Sequence, residues 1–111
     1  MPRFEVLADS VVVGHSDLEL GDPTMGVAAG KFLPSPAYAG IQPLVVAARG
    51  GSKPSVLLVV RLVGGQELPA QGGVQILDYS AELGDEGLEI EVLGIGYPLY
   101  ADLFPARVQR R

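Results

Sequence analysis

The chain has no cysteine, which excludes a disulfide framework, a thiolate metal centre and a cysteine nucleophile. It has no tryptophan and only three Phe and four Tyr, so a core must be assembled mainly from Val, Leu, Ile and Ala. Histidine occurs once, at His15. Positive charge is also scarce: 8 basic residues face 13 acidic ones, for a net charge of −5. General nucleic-acid binding needs a basic face that neutralises phosphates, so no nucleic-acid partner is expected. Long apolar runs are missing too. A stretch such as Val56 to Val60 falls far short of the roughly 20 residues that span a bilayer. The opening "MPRFEV" lacks the charged and apolar regions of a signal peptide. The expectation is no membrane association and a cytoplasmic location.

What is present is apolar enough to fold. The chain is 111 residues long and 48% hydrophobic, which fits one modest core and a single domain over residues 1–111. Its 15 Gly and 9 Pro are scattered without a period, as turns between short elements. No internal repeat or low-complexity linker is visible. "GGSKPS" lacks the spacing of a phosphate loop.

Apolar alternation in "RFEVLADSVVVG" predicts a hairpin, Arg3 to Leu7 and Val11 to Gly14, turning at Asp9-Ser10. "TMGVAAGKFLP" reads as a strand whose glycines permit a bulge or close backbone approach. "SPAYAGIQPLVVAARGG" has Ser35 as N-cap, Pro36 at the first helical position and Tyr38, Ile41, Val45 and Ala48 at near-helical spacing. Gly50-Gly51 stops it. Pro43 forces that helix to kink or break into two. "PSVLLVVRLV" reads as a central strand covered on both faces, and "GVQILDYS" as another strand. In "GLEIEVLGIG", Leu88, Ile90 and Val92 turn inward while Glu89 and Glu91 face water. "LGDEG" before it reads as a hairpin turn. "YPLYADLFP" is a short closing helix with Pro98 at its start and Pro105 at its end, followed by a frayed Arg-rich tail. The expected fold is α+β: a mainly antiparallel sheet of about five or six strands with one longer helix and short capping helices.

"GHSDLELGDPTMG", residues 14–26, is the stretch densest in chemical groups. Ser16 followed by Glu19 fits a capping box, Gly21 a left-handed C-terminal position, and Asp22-Pro23 a turn start. The run thus reads first as a one-turn helical corner. A metal site there is disfavoured, because zinc commonly takes several histidines and a calcium loop needs a regular acidic pattern ending in glycine. Catalysis is disfavoured as well. Adjacent His15 and Ser16 rarely meet as base and nucleophile, and the proximity of Glu19 and Asp22 is weak evidence of acid–base work. No catalytic residue, metal or cofactor is expected. The alternative is a small-molecule or metal site formed by His15, Glu19, Asp22, Met25 and Tyr38, with Tyr97 or Tyr100 as further lining.

The block from Ser16 to Pro43, with its S-x-L-E-x-x-D-P-x-M-G-V-A pattern, and the end "VLGIGYPLYADLFP" resemble a group of small bacterial proteins without an assigned activity. The resemblance implies a bacterial source and a fold peculiar to that group. It marks Glu19, Asp22, Pro23, Met25, Gly26 and Tyr38 as the group's positions and transfers no functional residue.

Charge is segregated along the chain. Lys31 to Arg61 holds four basic residues and no acid, and Glu67 to Asp102 holds eight acids and no base. The simplest reading is that these segments pair within the fold. The sharper one is an acidic face for a basic partner. On that reading the chain is a non-enzymatic protein-interaction module. By analogy of type alone it is an inhibitor or immunity-type protein, docking Glu82, Asp85, Glu86, Glu89 and Glu91 with Leu88 or Tyr79 as apolar anchors. A homodimer through an exposed strand edge is compatible with it.

Overall fold

Alternation at the N-terminus does fold back on itself. In a computed structural model that describes residues 3–22, 25–48, 57–96 and 99–104, β1 (Phe4–Ala8) pairs antiparallel with β2 (Val11–Ser16). Ala8 lies opposite Val11, so Asp9-Ser10 is a two-residue loop. Both loop residues have positive φ, 49° and 72°. That geometry matches strand twist but strains side chains with a Cβ.

After β2 come β3 (Leu20–Asp22), β4 (Val27–Lys31) and β5 (Leu33–Pro34). They form one long two-stranded ribbon with a bend in it. Gly14 and His15 pair with Pro34 and Leu33 on one side of the bend. Leu20, Gly21 and Asp22 pair with Ala29, Ala28 and Val27 on the other. The bend carries the ribbon from one sheet into a second. The first sheet has the order β5-β2-β1-β6, where β6 is Leu58–Leu62. The second has the order β3-β4-β8-β7, where β7 is Gly73–Asp78 and β8 is Leu88–Leu93. All neighbours are antiparallel. The inward rows Phe4, Val6, Val13 and Val60 of the first sheet and Ala28, Ile76, Ile90 and Val92 of the second share one core with Phe32 at the bend.

The fold is therefore α+β, but its described strands number eight in two four-stranded sheets instead of five or six in one. The difference lies in the ribbon, where two continuous chain segments each change sheet and so count twice. A second correction concerns the apolar run. β6 is an edge of the first sheet, not its centre, and Pro54 to Val56 lie outside the described residues. Its outer side is closed by the chain's own return: Leu68 N–H donates to the Val60 carbonyl at 2.8 Å and Leu62 N–H to Gln66 at 3.0 Å.

The expected longer helix is two short pieces, a 3-10 turn over Pro36–Gly40 and α1 (Gln42–Ala47). The break falls at Ile41 because Pro43 must sit in the first turn of a helix, where its missing N–H is no loss. Ser35 does not cap this segment; its hydroxyl donates to the Val12 carbonyl at 3.0 Å and ties it to β2. "LGDEG" is no tight hairpin turn. α2 (Ser80–Leu83) and a 3-10 turn over Gly84–Gly87 carry the chain from β7 to β8. α3 (Leu99–Leu103) closes the core: Tyr100 is fully buried, donates to the Val27 carbonyl at 2.8 Å and stacks near Phe104, which meets Phe4. Pro23, Gly50-Gly51, Tyr97, Pro98, Pro105 and the Arg-rich tail lie outside the described residues. No helix among the described residues is long and apolar enough to cross a membrane.

Candidate docking surface

The bend is where Ser16 and Glu19 act, and they do so without forming a helix. Ser16 is completely buried, and its hydroxyl accepts the N–H of Leu18 at 3.0 Å, two residues on. Leu18 is buried with φ at 48°, so the chain reverses direction locally while its side chain enters the core. The Glu19 carboxylate accepts the backbone N–H of Lys31 across the ribbon at 2.9 Å. The capping box is thus replaced by a hydroxyl turn and a cross-strand clamp. Gly21 belongs to β3, and Gly26 instead adopts the left-handed conformation, with φ at 67°. Opposite the bend, Gly30 leaves room for it: a Cβ there would lie 2.9 Å from both Leu18 Cα and Ser16 Oγ and would strike the Glu19 carboxylate.

The remaining residues of the alternative corner site are spread along the ribbon and beyond it. His15 is half-buried on β2, opposite Glu5 and Leu33. Asp22 and Met25 are exposed at the far end, where Met25 N–H donates to the Asp22 carbonyl at 3.2 Å. Tyr38 is buried and bound elsewhere, to Asp78. Tyr100 lies buried in the core against Val27 and Phe104. Among the described residues no group of three His, Asp or Glu could hold a metal ion.

Asp78 forms the strongest polar cluster, and sequence reading passed it over. It is 2% exposed at the end of β7. One carboxylate oxygen accepts the Tyr38 hydroxyl at 2.6 Å and the Gln42 amide at 3.0 Å. The other accepts the Ser80 N–H at 2.9 Å and the Ser80 hydroxyl at 2.6 Å. Burial alone would push the Asp78 carboxyl up, but the bonds from Ser80, Tyr38 and Gln42 together hold it below the ordinary carboxylate range. Burial, then the bond to Asp78 and its charge, push the Tyr38 hydroxyl far up. Every donor around this carboxylate is consumed, so the cluster locks the 3-10 turn and α1 onto β7 and starts α2. The only signal in sequence was an Asp two residues before a Ser at a helix start.

The acidic residues of the second sheet are arranged differently. Glu89 lies opposite Lys31 on β4 and Leu77 on β7, and Glu91 lies opposite Ala29 and Gln75. Cross-strand partners point to the same side of a sheet, so Glu89, Glu91 and Lys31 share the outer face. Glu91 accepts the Gln75 side-chain amide. Glu86, exposed on the connection before β8, reaches Lys31 at 3.6 Å. Burial first, then the charges of Glu91 and Glu19, raise the Glu89 carboxyl above its ordinary value. Glu19 therefore lies near enough to Glu89 for their charges to interact, although the sequence placed it only in the corner. Glu82 and Asp85 are exposed on α2 and the following 3-10 turn. Of the proposed anchors, Leu88 is buried in the core, and Tyr79 is 42% exposed.

Pairing of the basic and acidic segments is visible at Lys31, whereas Arg61 pairs with Glu5 at the other end of the chain. Comparison with family models, with curated proteins and with solved structures finds no match.

Proposed function

We propose that this chain is a non-enzymatic protein-interaction module of the inhibitor or immunity type, cytoplasmic, that docks the outer face of its second sheet on a basic protein. The observation that carries the reading is the outward row of Glu89 and Glu91 on β8, with Glu86 exposed on the connection before it. Glu91 and Glu19 add repulsion to the burial that raises the Glu89 carboxyl. A basic partner would reverse the sign of that interaction and steer the encounter. Glu86, Asp85 and Glu82 extend the negative potential along the connection before β8, and exposed Tyr79 supplies an aromatic anchor of the kind that dominates interface energetics. The competing small-molecule or metal site draws less support, because Glu19 and Tyr38 are already engaged by Lys31 and Asp78.

The test is capture from a bacterial lysate by tagged protein at low and high salt, read by mass spectrometry. A stoichiometric basic protein should be retained at low salt, released at high salt, and lost from a Glu86/Glu89/Glu91→Lys variant. Unchanged retention by that variant would refute the reading.

A further inference from the structure

The first sheet carries a hollow on the face turned away from the core. Along β1 the inward row is Phe4, Val6 and Ala8, and alternation places Leu7 on the other face. Leu7 lies opposite Val12 on β2 and Val59 on β6. Cross-strand partners point to one side of a sheet, so these three form an apolar row. Leu7 is only 6% exposed, although it stands outside the core cluster. Leu57, two residues before Val59, extends the row's side past the end of β6, where its carbonyl accepts the Asp9 N–H at 3.2 Å.

Polar residues close the rim. Asp9 and Ser10 come from the first hairpin, Arg61 from β6, and Glu67 from the returning chain, which meets Arg61 in a single antiparallel bridge. Together with Leu7, Val12, Leu57 and Val59 they line an open cavity of about 250 Å³. The floor is apolar and the rim is charged. Arg61 is held by Glu5, whose side chain is largely buried, so that pair sums to no net charge. Asp9 and Glu67 are exposed, and among the described residues neither carboxylate accepts a hydrogen bond or forms an ion pair. Two uncompensated negative charges therefore border an apolar hollow.

We propose that this cavity binds a small primary amine with an aliphatic body. The ammonium group would sit beside Asp9 and Glu67 while its hydrocarbon lies on Leu7, Val12, Leu57 and Val59. The volume lies just under the roughly 300–1,000 Å³ of pockets for drug-sized ligands, which suits a body of about five to eight carbons. A neutral ligand of the same shape would gain the floor alone, and a carboxylate would meet repulsion at the rim. The site shares no residue with the acidic face of the second sheet or with the corner at His15 to Met25, so it does not depend on the docking reading.

The test titrates hexylamine, hexanol and hexanoate separately into the full chain at pH 7, read by NMR of the leucine and valine methyl groups. The expected result is saturable shifts centred on Leu7, Val12, Leu57 and Val59. Hexylamine should bind at least about fivefold more tightly than hexanol, the scale of an exposed charge contact, and hexanoate most weakly. Asp9→Asn/Glu67→Gln should bring hexylamine down to the affinity of hexanol and leave hexanol unchanged. Asn is also at ease with the positive φ at position 9. Shifts centred on other methyl groups, or none that saturate, would overturn the site. Equal binding of hexylamine and hexanol, or tightest binding of hexanoate, would overturn the assignment to an amine. Equal loss of hexylamine and hexanol in the variant would overturn recognition of charge by the two carboxylates.

Discussion

Asp78 and Glu89 sit on neighbouring strands, one register step apart, on opposite faces of one sheet. Both are partly or wholly withdrawn from water, yet their carboxyl groups shift in opposite directions. Asp78 is surrounded by donors, and the hydrogen bonds overcome the burial that would neutralise it. Glu89 lies opposite Lys31 but finds no such set of donors among the described residues, and burial acts together with repulsion from Glu91 and Glu19. The contrast separates two uses of the same side-chain chemistry. A buried charge with every oxygen engaged holds elements together. A partly buried charge without such donors, near others of its own sign, costs the fold some stability.

The largest expected effect is at the inner carboxylate. Asp78→Ala should destabilise the protein by about 3 kcal/mol in urea unfolding, because it strands the Tyr38 hydroxyl and frees the start of α2. The pH dependence has a fixed sign. The folded pKa of Asp78 lies below its ordinary value near 3.8, so its contribution is complete above that value and is lost as pH falls through the folded pKa. Asp78→Asn should remove that acid-limb slope; an unchanged slope would break the contrast.

Next comes the bend that delivers β4 to the acidic face. Gly30→Ala should cost about 1–3 kcal/mol, since the methyl would meet Leu18 and Ser16 backbone and hydroxyl atoms that cannot retreat without opening the turn. Amide exchange should show Lys31 N–H exposed in the variant if the Glu19 clamp is released with it.

A smaller gain is expected at the first hairpin. Ser10 has φ at 72°, a region glycine enters freely, so Ser10→Gly should stabilise by roughly 0.5–1 kcal/mol in thermal unfolding. No change there would show that the turn relaxes in solution.

The smallest effect is at the outer carboxylate, and its sign matters more than its size. Glu89→Gln should stabilise by a few tenths of a kcal/mol at neutral pH, through relief of the burial cost of the charge and then of repulsion from Glu91 and Glu19. Because the folded pKa of Glu89 is raised, its favourable contribution exists at low pH and is lost as pH rises through that pKa. The advantage of Gln should therefore grow from acid toward neutral pH.

Much of the strand content was readable from local pattern. The hairpin at Asp9-Ser10 and the inward row Leu88, Ile90, Val92 follow from period-two alternation. The helix break follows from the position of Pro43. The bend at Ser16–Glu19 was not readable in the same way. Ser followed by Glu three residues on signals a helix start, but the same hydroxyl can accept an N–H two residues on, and the same carboxylate can reach another strand. Which happens is decided by Gly30, fourteen residues from Ser16 and invisible to a local window. The Asp78 cluster was hidden for the same reason, since Tyr38 and Gln42 come from 40 and 36 residues away. At the proposed docking face, Glu89 and Glu91 were legible as an outward row, while the nearness of Glu19 to Glu89 depended on the folded ribbon.

The most direct test pairs stability with binding in Glu89→Gln/Glu91→Gln. Urea unfolding at pH 7 and affinity for the basic protein captured from lysate would be measured on the same preparation across a range of salt. The expected result is a fold at least as stable as the parent, with binding weakened at least about tenfold at low salt and a shallower salt dependence. A destabilised variant that binds its partner as tightly as the parent would contradict the assignment of this face to docking.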